Sequence, residues 1–454
     1  MLYSSYEALR DDLNAYLDDH NYLKLRHILK DQMPQDIASF IDDVNPEAAA
    51  IVFRLLTKDI GTVVFKYLRP DTQLELIRAY SDRDINELVA GLYIDDLADF
   101  IEEMPAYVAK RVLDNTPPDK RSLVNRILKY PEDSAGSIMT TEYMHLKQNM
   151  TVADAIYRLR HSGTQHETIY ICFVTSATRI LEGIISVRTI LNAKDEEIIG
   201  DLMERNVVSV ATDEDQEVVA RMFDRYDFLA IPVVDHEHRL VGIVTVDDAV
   251  DVLTEEAQED MSIMAAVNPS EKPYLQTSVH EHSKRRLLWL LLLMISGMIN
   301  GFILSHYETA FVALPVLVTF IPMLTDTGGN AGSQSSSMMI QGLATGEITG
   351  KDWLTIVWKE FRISLLTGSA LSLINFIRIY FFYDRNLMVS LTVSIAMLFI
   401  VMLAKLIGGL LPLLAKSLKL DPAIMAAPLI TTIVDAVGLL IYFGVAETII
   451  PQIR

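Results

Sequence analysis

Cysteine is nearly absent from this chain. Cys172 is the only one among 454 residues, so no disulfide can form within one chain. Structural disulfides belong to oxidising compartments, and a chain without them fits a reducing one. The sequence therefore favours a cytoplasmic setting for its soluble parts.

Basic side chains are scarce in the first 283 residues. Residues 284–454 hold only 9 of the 60 acidic and 12 of the 39 basic side chains, so residues 1–283 hold 51 and 27 and carry a net charge near −24. Phosphate contacts need Lys and Arg, so we expect no nucleic-acid partner. Such a charge attracts cations instead.

A secretory signal is also missing. The first twenty residues, MLYSSYEALRDDLNAYLDDH, contain neither a basic segment nor an apolar core. Signal peptides need both. We therefore expect the front half to remain in the cytoplasm.

What the rear half does contain is apolar runs long enough to cross a bilayer. Length and apolarity predict five spans, the second of them kinked or broken at Pro315 and Pro322. These spans are Leu287–Leu304, Thr309–Thr325 with its continuation, Ile363–Tyr383, Leu387–Leu414 and Ala423–Ala446. Five spans and a cytoplasmic front place the C-terminus outside, which agrees with the lysines and arginines in the predicted inner loops.

Asp435 and Lys405 are charged residues that lie inside these spans. Asp435 stands in the run PLITTIVDAVGLLIYFGV over 428–445, and a carboxylate at such depth usually marks an ion or substrate path. Lys405 lies in the fourth span, where we expect its side chain to extend towards the interface. Asp435 indicates that a cation passes through the protein.

The soluble half combines two modules. Helix-length blocks separated by prolines, with PQDIASFIDD over 34–43 echoed by DDLADFIEE over 95–103, predict stacked helical hairpins in residues 1–130. A βαβ-like pattern then occurs twice: LEGIIS over 181–186 pairs with LVGIVT over 240–245. These copies resemble a tandem CBS pair, which we place at 131–252.

The CBS resemblance implies one possible nucleotide site. The second copy matches the motif with Gly242, Thr245 and Asp248, where the Asp holds a ribose, whereas the first copy has Thr189 in place of that Asp. ATP is accordingly a possible ligand. A charged helix and linker follow at 253–283, and Glu256 and Asp260 share one face of that helix.

The segment PMLTDTGGNAGSQ over 322–334 places three glycines and an asparagine at membrane depth. Glycine permits close backbone approach, and we expect non-helical backbone here, lining a wet cavity. With Asp421–Tyr442 and the modules before it, this segment resembles the MgtE family of magnesium channels and transporters. The resemblance covers nearly the whole chain, including five spans in residues 284–454.

The resemblance implies a homodimer in the plasma (inner) membrane, with one Mg²⁺ pore on its two-fold axis. Mg²⁺ keeps most of its waters and takes few direct carboxylates, so two copies of one aspartate, with nearby carbonyls and hydroxyls, suit a hydrated ion. The implied pore residues are Asp435, Asn330, Ala427, Thr431 and Thr432.

The resemblance also implies that Mg²⁺ regulates the channel by bridging the N domain, the CBS pair and the connecting helix, which holds the pore closed. Val63 stands where the family has one further acid. The matching sensing residues are Asp95, Asp99, Asp215, Glu217, Asp227, Asp248, Asp251, Glu256, Glu259, Asp260 and Asp421.

Three other functions remain open from the residues alone. A carrier coupled to Na⁺ or H⁺ would share most of these features, and a receptor-like sensor would lack transport. Asp326-Thr-Gly is similar to the active-site triplet of aspartic proteases, with Asp435 as a second carboxylate. That triplet belongs in a sheet loop, so we expect no enzyme and place Asp326 near the cytoplasmic mouth.

Overall fold

The computed structural model describes residues 6–162, 166–269, 274, 277–308, 312, 314–382 and 386–451. The chain divides into two compact units, Met1–Thr254 and Glu255–Arg454. Parts of the predicted second span (309–311 and 313) and the predicted outer C-terminal end (452–454) lie outside the described residues.

The first unit begins with ten short helices, as the proline spacing predicts. Pro34, Pro46, Pro70 and Pro118 are each the first residue of a helix, where a missing N–H is harmless. The helices are α1 (Tyr6–Asp18), α2 (Tyr22–Leu29), α3 (Pro34–Asp43), α4 (Pro46–Leu55), α5 (Lys58–Lys66), α6 (Pro70–Ala79), α7 (Asp82–Gly91), α8 (Ile94–Glu103), α9 (Ala106–Asn115) and α10 (Pro118–Ile127).

Helices two apart in sequence pack on each other throughout this domain: α3 on α5, α5 on α7, α7 on α9 and α8 on α10. One apolar core runs through the stack and contains Leu25, Phe40, Phe65 and Phe100. The domain is thus the predicted stack of helical hairpins.

Two matching α/β repeats complete the first unit. The first contains β1 (Tyr143–Lys147), α11 (Val152–Ser162), β2 (Thr168–Thr175), β3 (Leu181–Ser186), α12 (Val187–Asn192) and α13 (Ile199–Leu202). The second contains β4 (Val210–Ala211), α14 (Gln216–Tyr226), β5 (Ala230–Val234), β6 (Leu240–Thr245) and α15 (Val246–Met264). The boundary between the two units falls within α15.

Both repeats fold the same sheet. The strand orders are β1-β2-β3 and β4-β5-β6, with the first pair of each sheet parallel and the second antiparallel. Tyr143 and Phe173 of the first repeat pack with Leu240 and Ile243 of the second. The internal duplication read from the sequence is therefore confirmed as a tandem pair of like domains.

The second unit is a helical bundle. Its helices are α16 (Val279–His306), α17 (Ile321–Ala344), α18 (Trp353–Phe382), α19 (Leu387–Ser417) and α20 (Ala427–Ile449), with 3-10 turns at Pro315–Phe320, Gly350–Asp352 and Pro422–Met425. Within the described residues, α16, α18, α19 and α20 are long and apolar enough to cross a membrane. The predicted second span corresponds to the first 3-10 turn followed by α17.

The prediction of non-helical backbone at 328–332 is wrong. These residues lie inside the continuous helix α17. Their glycines serve close packing between helices: a Cβ added at Gly328 would lie 2.6 Å from Ile400 Cγ2, and one at Gly329 would lie 2.8 Å from Thr431 Cγ2. Small side chains let helices approach closely without interrupting their backbone hydrogen bonds.

Candidate functional site

Three carboxylates from distant parts of the first unit converge in one place. Asp95 lies on α8, Glu167 just before β2, and Asp248 in the first turn of α15. One oxygen of each lies within 4.8 Å of the others. We call these three residues the acidic cluster; it joins the N domain to both α/β repeats.

Asp95 is the most enclosed member of the acidic cluster. Its side chain is 3% exposed, and both carboxylate oxygens, together with Glu167 Oε2, are buried without a hydrogen-bond partner among the described residues. A buried carboxylate left unpaired is costly. Unpaired carboxylate oxygens are the ligands that a hard cation prefers, so the acidic cluster fits a divalent ion such as Mg²⁺.

The pKa values of the acidic cluster are raised. Burial, followed by repulsion from Glu167, Asp96 and Asp248, raises the pKa of Asp95 well above its ordinary range. Burial and the charge of Asp248 raise the pKa of Glu167 to about 8. Burial raises the pKa of Asp248 to about 6, although the Thr245 hydroxyl opposes the shift. Burial is the largest cause of each shift, so ionisation of the cluster is costly unless a cation compensates its charge.

Lys66 on α5 supplies some of that charge. Its ammonium lies 3.0 Å from Asp96 Oδ1, and its charge also acts on Asp95 and Asp248. It does not donate a hydrogen bond to Asp95, whose oxygens remain unpaired. The charge of Lys66 therefore leaves the oxygens of Asp95 without a hydrogen-bond partner in the part of the chain that the structure describes.

The structure brings together some of the predicted sensing residues. Asp95 and Asp248 are members of the acidic cluster. Asp99 is exposed one turn after Asp95, and its charge is repelled by that of Asp248. The charge of Asp251 is attracted by that of Lys66. Glu167 was missed, since a single acid in a polar segment before a strand carries no distinctive sequence signal.

Other predicted sensing residues have local roles in the structure. Asp215 accepts a hydrogen bond from the Glu217 backbone N–H at the start of α14, and Glu217 forms an ion pair with Arg221. Asp227 ends that helix in the left-handed conformation, with φ 55°. Asp421 accepts from the Ala423 N–H at 2.8 Å.

The acids of the connecting helix lie in the second half of α15. Glu256 and Asp260 are half-buried and Glu259 is exposed. At the end of this helix Ile263 and Met264 pack against Ile340 and Ala423 of the helical bundle. The connecting helix therefore contacts the bundle where α17 ends and the turn before α20 begins.

The residues of the predicted nucleotide motif are closely packed and hydrogen-bonded. A Cβ at Gly242 would lie 2.5 Å from Met139 Sδ. Thr245 is buried, and its hydroxyl donates to Asp247 Oδ1 at 2.6 Å or to Asp248 Oδ2 at 2.5 Å. Because Asp248 also belongs to the acidic cluster, a ribose and a metal ion would compete for the same carboxylate.

In the helical bundle, α17 and α20 form a second polar site. Gly329 packs on Thr431, and Gly328 packs on Val434. Asp435 is half-buried, Asn330 is exposed, and Asp326 lies close enough to Asp435 for their charges to repel. The charge of Asp326 therefore acts on the predicted ion site, and its place near the cytoplasmic mouth stays a prediction.

The remaining predicted pore residues line the first turns of α20. Ala427 is its first residue, and the hydroxyls of Thr431 and Thr432 each donate to the Pro428 carbonyl at 3.0 Å. Their oxygen lone pairs remain available to accept from water. Together with two carboxylates, this arrangement can hold a hydrated cation through its water shell.

Comparison with known proteins follows the same division. The family model described as a divalent cation transporter, MgtE, matches residues 321–445. The MgtE intracellular N domain matches residues 32–133, and the CBS domain matches residues 135–196 and 199–255. Magnesium transporter MgtE of Thermus thermophilus is 36% identical over 98% of this chain and 100% of its own length.

The chain belongs to the MgtE family. Magnesium transporter MgtE of Bacillus subtilis is 34% identical over 95% of the chain and 98% of its own length. A solved structure of the cytosolic domain of the Mg²⁺ channel MgtE in complex with ATP covers 54% of this chain and 99% of that one, at 36% identity and TM-score 0.51. The protein is accordingly a multi-pass membrane protein of this MgtE family.

Proposed function

We propose that this MgtE-family chain imports Mg²⁺ across the plasma membrane as a homodimeric channel and that Mg²⁺ bound to its acidic soluble half closes it. The observation that carries the regulatory part is the acidic cluster, whose carboxylates come from the N domain and from both CBS repeats and whose unpaired oxygens belong to Asp95 and Glu167. The similarity over the full length of the curated magnesium transporters supports the choice of ion.

Two chains complete the pore in this proposal. In one chain Asp435 is only half-buried and Asn330 is exposed, which suits a site shared with a second copy across a two-fold axis. Two facing aspartates would hold a hydrated Mg²⁺ weakly enough for it to leave. The N-terminus lies in the cytoplasm and the C-terminus outside.

Closure follows from electrostatics. The soluble half carries a charge near −24, and ionised Asp95, Glu167 and Asp248 repel one another. High internal Mg²⁺ neutralises them and holds the N domain on the CBS pair. When Mg²⁺ falls, repulsion separates these parts and releases the connecting helix, whose end contacts the bundle.

Mg²⁺ uptake by proteoliposomes containing the full chain tests the pore. We expect Asp435→Asn to lower the initial uptake rate about a hundredfold, because a neutral amide binds a divalent ion far less well. Asp352→Asn, at an exposed turn outside the described bundle core, should leave uptake unchanged. Uptake by Asp435→Asn equal to that of the unchanged protein would remove Asp435 from the pore.

The sensor is tested through Glu167, which no sequence pattern distinguished. Glu167→Gln should weaken inhibition by Mg²⁺ about tenfold, since the acidic cluster loses one of its three charges. The matched control is Glu182→Gln, on β3 of the same repeat. If both variants shift the inhibitory Mg²⁺ concentration equally, the acidic cluster is not the sensor.

Single-channel recording separates a channel from a coupled carrier. Unitary Mg²⁺ currents in a planar bilayer are expected here, whereas a dependence of uptake on a Na⁺ or H⁺ gradient would favour the carrier.

ATP is proposed as a second ligand of the CBS pair. Because it would share Asp248 with the metal, its affinity should fall as Mg²⁺ fills the acidic cluster.

A further inference from the structure

Two buried side chains of opposite charge in the helical bundle have no part in the proposed ion path. Glu360 on α18 is 5% exposed and Lys405 on α19 is 7% exposed. Both helices are long and apolar enough to cross a membrane. Charged side chains buried inside a helical bundle are costly unless they are paired. Lys405 is enclosed by the bundle, whereas the sequence led us to expect its side chain to extend towards the interface.

The glycines of α18 and α19 fix the register of these two helices. A Cβ at Gly368 would lie 3.5 Å from Val401 Cγ1, and a Cβ at Gly409 would lie 3.1 Å from Glu360 Cγ. The helices therefore run antiparallel, and Lys405 lies on α19 between Val401, which is near Gly368, and Gly409, which is near Glu360. Since four residues make about one turn, Glu360 and Lys405 lie about one turn apart on facing surfaces.

Glu360 also forms a hydrogen bond with α17. Its Oε2 accepts a hydrogen bond of 2.7 Å from Ser335 on α17. Near this bond α17 and α19 meet without intervening side chains: a Cβ at Gly332 would lie 3.1 Å from the Ala404 carbonyl oxygen, and a Cβ at Gly408 would overlap the Gly332 carbonyl. Ser335, Glu360 and Lys405 thus form a polar junction between three helices.

Lys405 has no partner of its own. Among the described residues its ammonium forms no hydrogen bond and no ion pair, and Glu360 accepts only from Ser335. The contacts at Gly368 and Gly409 place the Glu360 carboxylate about one helical turn from Lys405 on the facing helix. Two opposite charges in a medium of low dielectric constant attract strongly.

We propose that the opposite charges of Glu360 and Lys405 attract each other across the α18–α19 contact, without a direct ion pair, and that through Ser335 this attraction fixes the rotation of α17. This helix carries Asp326 and Asn330, and the charge of Asp326 acts on Asp435, so its rotation affects the proposed ion path. Glu360 and Lys405 are positioning residues, since neither touches the ion. Removal of one partner leaves an uncompensated buried charge, whereas removal of both leaves none.

A double-mutant cycle on the full chain tests this proposal, which rests on the proposed transport of Mg²⁺ for one of its two readouts. Glu360→Gln and Lys405→Met should each lower Mg²⁺ uptake by proteoliposomes about tenfold, as coupled neighbours do. The double variant should recover most of the rate. Lys405→Arg keeps the charge and should stay close to the unchanged protein. Lys359→Met, at an exposed neighbouring position, is the matched control and should have no effect.

Thermal unfolding of the same detergent-purified proteins gives a readout that needs no transport. The two single variants should lower Tm, and the double variant should lie above the sum of their effects. If the unchanged protein transports no Mg²⁺, the proposed function fails, and the Tm cycle still decides the pair. The proposal is overturned if the single effects add in Tm and multiply in uptake, or if Lys405→Met matches Lys359→Met. It is also overturned if Glu360→Gln is inactive with or without Lys405→Met, which would make Glu360 an ion ligand.

Discussion

At the scale of single residues, surroundings decide what a carboxylate does. Asp95, Asp215 and Asp421 all looked alike in the sequence, as acids at positions that match the family. In the structure Asp215 and Asp421 accept backbone hydrogen bonds at helix starts. Asp95 is buried with both oxygens unpaired. Only the buried and unpaired carboxylate of Asp95 favours the binding of a cation.

The raised pKa values of the acidic cluster predict a pH dependence. A carboxyl whose pKa is raised by folding adds stability at low pH, and this stability is lost as pH rises through the folded pKa, here about 6 for Asp248 and about 8 for Glu167. Without Mg²⁺, Tm of the full chain should therefore fall between pH 5.5 and 8.5.

Mg²⁺ binds only the ionised cluster, so its stabilising effect should run the opposite way. The Tm gain on adding Mg²⁺ should be several degrees larger at pH 8.5 than at pH 5.5. Scanning calorimetry or dye-based unfolding in EDTA and in Mg²⁺ measures both trends. A Tm gain that does not change with pH would contradict protonation of the acidic cluster.

At the scale of elements, α17 is the informative helix. Its glycines led us to expect a broken backbone, yet they face α19 and α20 within an unbroken helix. The sequence showed that close approach occurs here but not what approaches: glycine is equally suited to a loop around an ion and to a tight helix crossing. Residues of α19 and α20 pack directly against these glycines, and the backbone of α17 remains helical throughout.

The tight crossing can be tested by adding one methyl group. A Cβ at Gly332 would lie 2.7 Å from Ile430 Cγ2 and 3.1 Å from a backbone oxygen. Gly332→Ala should therefore lower stability by about 1–3 kcal/mol through overpacking and also lower uptake, because α17 moves away from α20. Gly444→Ala is the control, since nothing lies within 4 Å of a Cβ there. Equal Tm values for both variants would argue against the tight crossing.

At the scale of the whole molecule, the negative charge of the soluble half and the acidic cluster both belong to the proposed closure by Mg²⁺. Limited proteolysis of the full chain in detergent measures it. Cleavage between the N domain and the CBS pair, near residues 130–134, should slow several-fold as Mg²⁺ rises, because the bridged state protects this segment. Protection should need about tenfold more Mg²⁺ in Glu167→Gln. Protection that does not depend on Mg²⁺ would refute closure by the ion while leaving the pore proposal intact.

The sequence by itself determined the properties that depend on neighbouring residues. Proline spacing gave the stacked helices, duplication gave the paired α/β repeats, apolar length gave the membrane helices, and isolation in such a run singled out Asp435. Tertiary structure alone decided which charges meet. Asp95, Glu167 and Asp248 are separated by about seventy to eighty residues each, and Glu360 and Lys405 lie on different helices. Periodicity and composition record local preferences, whereas the meeting of such distant side chains depends on how the elements pack.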